Sequence, residues 1–313
     1  MRNIYKNSVQ NLRKAKKILE KNHIIAVPTE TVYGLAGNAY SNSSIKKIYE
    51  LKKRPKINPL IIHYYNIKSL SKDAYIDKNF LKLYNKFSPG PLTYILKIKK
   101  NSKISPLANA KLKTIAVRFP KNKIVRNLLS NLKFPLAIPS ANISSGVSPV
   151  NHEDVLDEFS KKIKFIFDGG ACTIGLESTV VNLCGKIQIL RPGSIDKKQI
   201  SKILGKKIFI SKSNKKIISP GQLGRHYSPG IPIKLNCKKK DYKAAFIVFG
   251  KKYKKAKDIF NLSKSGNLKE AGRKLYKTLR KIKKLGYKKI NISKIPNKKI
   301  GVAINDRLKR ASN

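Results

Sequence analysis

Residues 23–35 read HIIAVPTETVYGL, and this stretch decides the fold of the chain. The apolar run at 23–27 predicts a short buried strand, and Pro28 ends it because proline has no N–H to donate to a sheet. Two threonines and a glutamate follow at once. Ligands of open α/β sheets collect at strand ends, where backbone donors and side chains converge. The stretch therefore predicts an α/β sheet with polar groups gathered at strand ends.

Strands and helices alternate on both sides of this stretch. Ser8 is a candidate N-cap for a helix whose apolar residues recur up to Leu19, and a second amphipathic helix is predicted over 44–52. The pattern then predicts strands at 60–63, 93–98, 115–119, 136–138, 165–167, 178–183 and 187–190, and a helix at 124–129. This succession predicts an α/β sheet domain over residues 1–205.

The pattern changes after this domain. Ser-Pro-Gly occurs at 219–221 and again at 228–230, and the segment between favours neither a long helix nor a strand. We therefore assign 206–233 to a linker. Beyond it, strands at 244–249 and 290–292 and helices at 267–284 and 303–308 predict a second, smaller α/β domain over 234–313.

Composition favours a cytoplasmic protein with a substantial core. Hydrophobic residues make up 41% of the 313 residues, and no run approaches the roughly 18 apolar residues that a membrane helix requires. The first residues carry charges without an apolar segment behind them, so we expect neither export nor membrane association. Cys172, Cys184 and Cys237 form no C-x-x-C pair, which argues against a disulfide framework or a zinc site.

The formal net charge of +54 comes from lysines scattered through every segment. Such uniform enrichment, beside Ile and Asn, is typical of an AT-biased coding sequence, whereas nucleic-acid surfaces are clustered and interleaved with aromatic residues. We therefore favour compositional bias over a selected RNA surface, and expect a weak, salt-dependent attraction for RNA. The P-loop, dinucleotide-binding and H-E-x-x-H motifs are absent from the sequence.

Seven polar segments lie at or just after predicted strand ends: 28–35, 52–60, 89–93, 139–142, 168–170, 175–179 and 191–193. Taken singly, the prolines and glycines in such loops only mark turns. Arg54, Arg118 and Arg191 stand out in a chain that otherwise uses lysine, because the arginine fork binds phosphate or carboxylate in a way that lysine does not reproduce. For each arginine alone, a surface ion pair is the alternative. Together the segments predict a site for an anionic ligand.

These segments together resemble the Sua5/YrdC/YciO family in its two-domain Sua5 form. The family pattern P-T-E-T-V-Y-G-L is unchanged at 28–35, and the K-x-R…S-x-N tetrad appears as Lys52, Arg54, Ser140 and Asn142. Blocks resembling N-P-L-I-V-H, P-G-P-L-T, T-V-A-V-R, D-G-G, G-x-E-S-T-V-V and L-R-P-G follow in family order, as does an S-P-G…H-Y linker. The sequence departs from the pattern at Ser88, at 36–38 and at 222–224, and keeps every member of the tetrad.

The resemblance implies a twisted mixed sheet with helices, followed by a smaller Rossmann-like Sua5 domain. It implies a nucleotidyltransferase that joins L-threonine, bicarbonate or CO2, and ATP into threonylcarbamoyl-AMP, with Mg²⁺ on the phosphates and pyrophosphate as leaving group. A partner transferase complex would then modify tRNAs that read ANN codons. The linker would cover the site and exclude water from a labile carbamate.

The resemblance also assigns site residues, one by one. The tetrad would be catalytic, and Thr29, His63, Arg118 and Ser178 would bind L-threonine. The positions implied for ATP are Lys52, Arg54, Asn58, Thr114, Ile138, Ser140, Asn142, Ser148, Arg191 and, from the linker, Tyr227. Without the family, His63 is more typical of a core histidine and Tyr227 of a loop anchor. No protein metal site is expected.

Two other readings compete. A non-catalytic, ribosome-associated RNA-binding protein would keep the sheet domain for its basic surface, but would not need a threonine pocket. A carbamoyl-transferring maturation enzyme would carry further cysteine clusters and an acylphosphatase-like part, which this sequence lacks.

Overall fold

The computed structural model describes residues 3–159, 162–211, 226–254 and 256–312. The predicted linker residues at 219–225, Gln222 and Arg225 among them, lie outside these ranges. Within them the chain forms a large mixed sheet and a small parallel sheet, both flanked by helices. The predicted α/β class with a second, smaller domain is therefore confirmed.

The helices are α1 (Val9–Glu20), α2 (Asn42–Lys52), α3 (Ile67–Leu70), α4 (Lys78–Phe87), α5 (Lys123–Asn131), α6 (His152–Phe159), α7 (Lys197–Leu204), α8 (Leu268–Lys284) and α9 (Gly301–Ser312). The strands are β1 (Ile4–Lys6), β2 (Ile25–Val27), β3 (Gly34–Asn38), β4 (Ile61–His63), β5 (Leu92–Lys97), β6 (Thr114–Arg118), β7 (Leu136–Ala137), β8 (Ile166–Asp168), β9 (Thr179–Asn182), β10 (Gln188–Arg191), β11 (Phe209–Ile210), β12 (Ile233–Lys234), β13 (Ala245–Val248), β14 (Ile259–Asn261) and β15 (Ile290–Ile292).

The large sheet has the order β1-β8-β2-β3-β7-β4-β6-β5-β9-β10-β11. Strands β4 and β6 run parallel, and their register pairs His63 with Arg118. Strand β5 is antiparallel to β6 and pairs Thr93 with the same arginine. Because parallel and antiparallel pairs are mixed here, starts and ends of different strands meet, and polar loops from distant parts of the chain are brought together.

Helices cover both faces of this sheet. Helices α1 and α5 pack on one side through Ala15, Leu19 and Leu128, which belong to one buried cluster. Helices α4 and α7 pack against each other over another cluster, which includes Phe80 and Ile200. Capping residues fix several helix starts: the Ser8 hydroxyl accepts from the N–H of Asn11, as its N-cap position predicts.

The small sheet has the order β12-β15-β13-β14, and all its pairs are parallel. Helix α8 presents Leu275 and Leu279 to a buried cluster that also contains Tyr33 and Val147 of the first domain. The two domains therefore share one continuous apolar core. Strand β11 pairs with β10 of the large sheet although it lies in the predicted linker. None of the described helices is long and apolar enough to cross a membrane.

Candidate active site

A cavity lies over one face of the large sheet, where Ile61 forms a small apolar cluster with residues of β5, β6, β9 and β10. Its lining residues are Thr31, Val32, Arg54, Leu60, Ile61, Arg118, Ile138, Pro139, Ser140, Glu177, Arg191, His226 and Tyr227. Its free volume is about 50 Å³, whereas small-molecule sites usually offer roughly 300–1,000 Å³. The cavity is therefore narrow, and it is largely closed because most of its lining residues, the linker residues His226 and Tyr227 among them, are buried.

Arg118 ends strand β6, and side chains of the loop after β2 hold its guanidinium at the cavity wall. Arg118 Nη2 donates to Glu30 Oε1 at 2.6 Å, and Nη1 donates to Thr31 Oγ1 at 2.9 Å. The Thr31 hydroxyl lies 2.8 Å from the Thr29 hydroxyl, which also accepts from the N–H of Val32. Thr29 thus does not line the cavity itself. Its hydroxyl bonds to that of Thr31, which does, and holds the loop that carries Thr31.

The end of helix α2 positions two members of the tetrad, Lys52 and Arg54. The helix ends at Lys52, and the φ of 48° at Lys53, its C-cap, turns the chain sharply before Arg54. The Lys52 ammonium is buried and donates to the carbonyl oxygens of Ser140 and Asn142, which ties the helix to the turn after β7. Burial, and then the neighbouring Arg54 charge, lower the pKa of Lys52 well below its usual value.

The Ser140 and Asn142 side chains bond to each other across that turn. Ser140 Oγ donates to Asn142 Oδ1 at 2.6 Å, and Asn142 Nδ2 donates to the carbonyl of Gly146 at 3.0 Å. Lys52, Ser140 and Asn142 therefore form one hydrogen-bonded unit. Arg54 is not bonded to this unit, but it lines the cavity together with Ser140.

Backbone carbonyls orient the three cavity arginines. Arg54 donates from Nε to Asn58 O and from Nη2 to Pro59 O, at 2.9 and 2.8 Å. Arg118 Nε donates to Gly90 O at 3.3 Å. Arg191 Nε donates to the carbonyl of Ser178 at 3.1 Å, and its Nη2 reaches the Ser178 hydroxyl at the same distance. Burial lowers the pKa of Arg54 to about 10, which leaves it cationic at neutral pH.

Several buried polar atoms around the cavity have no partner within the described residues. They are Asn58 Oδ1, His63 Nε2, His226 Nδ1, Tyr227 Oη and Arg307 Nη2. Burying such groups without hydrogen bonds is costly, and their clustering indicates a site built for a polar ligand. His63 follows Ile62 at the end of β4, and its burial, with the Arg118 charge beside it, lowers its pKa well below the usual value. Its imidazole is therefore neutral.

Thr114 and Ser148 are the predicted ATP positions with a less direct relation to the cavity. Thr114 starts β6 and lines a separate cavity. Because side chains alternate between the two faces of a sheet, Thr114 is on the same face as Arg118, about 13 Å away at the other end of β6. The structure thus places Thr114 apart from the closed cavity but on the face that a longer ligand would cover. Ser148 Oγ donates to Glu177 Oε1 at 2.6 Å and so acts through that carboxylate.

The described end of the linker lies in the cavity. Tyr227 is 1% exposed and has a φ of 65°. The centroid of its ring lies 4.0 Å from the centroid of the His226 ring. Burial is the main cause that lowers the pKa of His226 to about 3 and raises the pKa of Tyr227. His226 is therefore neutral beside the arginines. His226 and Tyr227, near the end of the predicted linker, thus line the cavity, while 212–225 fall outside the described ranges.

Sequence reasoning missed Glu30, Glu177 and Arg307 as site residues. Glu177 lines the cavity and is joined by Arg307 Nε at 2.9 Å and by the Tyr276 hydroxyl at 2.9 Å, both from the second domain. Glu177 stands in the polar 175–179 segment, but its residue type alone gives it no role in a site for an anionic ligand. Nothing local in the sequence connects it with Arg307, because the pair is 130 residues apart.

Two family models match the chain. The Sua5_yciO_yrdC model, described as "Telomere recombination", matches residues 17–193. The Sua5_C model, described as "Threonylcarbamoyl-AMP synthase, C-terminal domain", matches residues 195–313. Together they cover the small sheet and all of the large sheet except its first strand, β1.

Relatives and a solved structure agree with these models. Threonylcarbamoyl-AMP synthase of Pyrococcus abyssi is 34% identical over 324 residues, covering 96% of this chain and 94% of that protein. The enzyme of the same name from Bacillus subtilis is 40% identical over 228 residues, covering 71% of this chain and 65% of the relative. The crystal structure of P. abyssi Sua5 complexed with L-threonine covers 99% of this chain and 96% of that chain, with a TM-score of 0.90 and 32% identity. The chain belongs to the Sua5/YrdC/YciO family, in its two-domain Sua5 form.

Proposed function

We propose that this protein is an L-threonylcarbamoyladenylate synthase, a nucleotidyltransferase. It joins L-threonine, bicarbonate or CO2, and ATP into threonylcarbamoyl-AMP and releases pyrophosphate. The observation that carries the proposal is the convergence of Arg54, Arg118 and Arg191 on one closed cavity, next to the Lys52 and Ser140 unit. The likeness to a Sua5 solved with L-threonine over nearly the whole chain supports it.

The reaction needs positioning and positive charge more than it needs a covalent catalyst. The threonine amine and CO2 form a carbamate and release a proton. A carbamate oxygen then forms a bond to the α-phosphorus of ATP, while the bond from that phosphorus to the pyrophosphate oxygen breaks. Charge develops on the phosphate oxygens in this step, and fixed guanidinium and ammonium groups in a water-poor cavity stabilise it.

The threonine end of the site is the part built around Arg118. Its guanidinium is held by Glu30 and Thr31, so it is oriented before a ligand carboxylate arrives. The neutral His63 has an unpartnered Nε2 that can hydrogen-bond the amino acid. The Ser178 hydroxyl, 2.7 Å from that of Thr93, would complete this end, and Thr29 would act through Thr31, whose loop it holds.

The nucleotide end is the part built around Arg54, Arg191 and the Ser140 turn. Lys52 and Asn142 hold that turn, and Asn58 holds Arg54 through its carbonyl. Ile138 lines the cavity, and because its N–H is bonded to the Ile61 carbonyl, its own carbonyl would be the backbone group that contacts the nucleotide. Thr114 lies where an extended ligand would cross the sheet face.

Magnesium would enter with ATP as part of the substrate. Within the described ranges no group of three His, Cys, Asp or Glu side chains forms a metal cage. Glu30 and Glu177, the carboxylates around the cavity, are each paired with a buried arginine. This donor set does not fit a resident Mg²⁺ site, whereas Mg²⁺ commonly binds through substrate phosphates and water.

The linker closes the cavity around the reactants. At about 50 Å³ the closed cavity is too small for ATP, so His226 and Tyr227 move outward when the nucleotide enters. Their return would keep water from the carbamate, which is labile in water. The product would pass to a threonylcarbamoyl transferase for tRNA modification. A cytoplasmic setting fits that pathway and the three free cysteines.

The test is pyrophosphate release by the purified full chain. We expect release only when ATP, L-threonine and bicarbonate are all present, with threonylcarbamoyl-AMP detected by mass spectrometry. A non-catalytic RNA-binding protein would release none under any of these conditions.

The matched variants are Lys52→Met and Lys46→Met, which change two lysines of helix α2. Lys46 is exposed, so its loss should leave the rate unchanged. Loss of Lys52 should lower it by at least about 100-fold, the usual effect of removing a buried charge-stabilising donor. An unchanged rate for Lys52→Met would remove that residue from the site.

A further inference from the structure

Arg307 of helix α9 is a buried cation that the second domain supplies to the first. It is 1% exposed, and its Nε donates to Glu177 Oε2 at 2.9 Å. Its Nη1 pairs with Asp306, and the ring of Tyr227 lies 4.9 Å from its guanidinium carbon. Arg307 therefore contacts both a wall residue of the cavity and the linker residue that closes it.

Glu177 is the acidic member of the cavity wall, which also carries Arg54, Arg118 and Arg191. Burial alone would raise its pKa, but the charges of Arg307 and then Arg191 outweigh burial and lower the pKa to about 2. Glu177 is thus ionised, and it interacts with two arginines that lie on different sides of it. Arg307 is fully enclosed, whereas Arg191 lines the space that the nucleotide would enter.

A carboxylate in this position opposes nucleotide binding unless another cation holds it. An unpaired Glu177 would repel phosphate and would turn towards Arg191, which would then be lost to the ligand. Arg307, with the Tyr276 and Ser148 hydroxyls, satisfies both Glu177 oxygens from outside the cavity.

We propose that Arg307 is a positioning residue for the reaction: its charge holds Glu177 and thereby leaves Arg191 available for the ATP phosphates. This inference rests on the proposed function, because it concerns the ATP end of the same site. It assigns the second domain a part in nucleotide binding, through a residue that does not itself line the cavity.

The test is calorimetric binding of ATP and of L-threonine to full-length variants. Arg307→Met should weaken ATP binding by about tenfold or more, while threonine affinity should change by less than about threefold. Glu177→Gln added to Arg307→Met should restore ATP affinity to within about threefold of Glu177→Gln alone. Arg307→Met and the double variant both lack the cation beneath the Tyr227 ring. A difference in ATP affinity between these two variants therefore reports the Glu177 charge alone.

Arg310→Met is the matched control, since Arg310 lies on the same helix and pairs with Asp306; its ATP affinity should match that of the wild type. A double variant as weak as Arg307→Met, or equal losses for ATP and threonine, would overturn the inference. If Arg307→Met does not fold, the double variant serves instead, because it leaves no unpaired buried charge. An ATP affinity more than about tenfold weaker for the double variant than for Glu177→Gln would contradict a role through Glu177. A wild-type chain that binds no ATP would refute the proposed function itself.

Discussion

At the scale of single residues, three buried arginines give the cavity its positive charge. Arg54, Arg118 and Arg191 stand out in the sequence because lysine greatly outnumbers arginine and these three lie at predicted strand or helix ends, and the structure brings all three to one cavity. Glu177 and Arg307 could not be paired from the sequence, because their contact depends on how two domains dock. Residue type predicts what a group can do, whereas burial and partners come only from the fold.

Arg118→Lys should separate the two ends of the site. Lysine keeps a charge beside Glu30 but loses the fork that would hold a carboxylate. We expect L-threonine affinity to fall by about tenfold or more, and ATP affinity to change by less than about threefold, as measured by calorimetry. Arg126→Lys is the control, since Arg126 lies over the Tyr65 ring in another part of the domain. Equal losses for both ligands would contradict the assignment.

Glu177 should make the protein sensitive to acid. Its folded pKa of about 2 lies below its ordinary value of 4.5, so its ionised form stabilises the fold above about pH 4.5. That contribution, roughly 3 kcal/mol at most, is lost as the pH falls from 4.5 towards 2. In urea unfolding at pH 5.5 and pH 3, Glu177→Gln should lose less stability than the wild type. Glu20→Gln, at the surface, should follow the wild type.

At the scale of elements, periodicity located many helices and strands but not the irregular ones. Helix α8 and strand β15 were predicted within a residue or two of their observed bounds. Strand β3 reads GLAGN, which lacks the β-branched residues that predict strands, and it forms because β2 and β7 pair with it. Helix α4 was also missed, although Asp77 caps it and Phe80 and Leu83 bury one face.

The prediction that ligands gather at strand ends needed one correction. The cavity covers the face of the sheet between β4, β6 and β7 as well as their ends. The physical reason is that β7 runs antiparallel to β4, so that Ile138 and Ser140 lie beside the start of β4 instead of its end. Strand direction cannot be read from a pattern of apolar residues.

The linker should leave the cavity more readily at low pH. His226 has a pKa of about 3 when seated, against 6.5 ordinarily, because burial and the charges of Arg54, Lys52 and Arg191 disfavour its protonation. Below about pH 6.5 each pH unit therefore costs the closed state roughly 1.4 kcal/mol. Hydrogen exchange of the 226–228 amides should accelerate between pH 6.5 and pH 5, after correction for the intrinsic rate.

His226→Gln is the diagnostic variant, because it removes the titrating group and should abolish the extra acceleration. His23→Gln, at an exposed position, should leave it intact. If both variants behave as the wild type does, another group controls the closure.

At the scale of the whole molecule, the two predicted domains are less independent than their sequences imply. One buried cluster joins Tyr33, Val147 and Leu176 of the first domain to Leu275 and Leu279 of the second. Arg280 also crosses the boundary to Glu158 at 3.1 Å. Apolar patterning predicts that a face is buried, but it does not say whether the covering element belongs to the same domain.

Removal of the second domain should therefore destabilise the first. A chain ending at residue 211 keeps all strands of the large sheet but exposes the shared cluster and leaves Glu177 without Arg307. We expect a lower urea midpoint, increased binding of a hydrophobic dye and impaired turnover. The control is a chain made as two fragments, with the break between 211 and 226, that are purified together. This pair of fragments should keep the urea midpoint of the intact chain. A truncated chain with unchanged stability would show that the domains fold independently.

The anchoring of the three cavity arginines to main-chain carbonyls has a further consequence. Long side chains usually lose rotamer entropy when a ligand fixes them, at about 1.5–2 kcal/mol each. Here the fold has already removed that freedom, so an arriving anion meets a preorganised field. Anion binding would therefore lose less conformational entropy here than at loosely held side chains, which favours affinity.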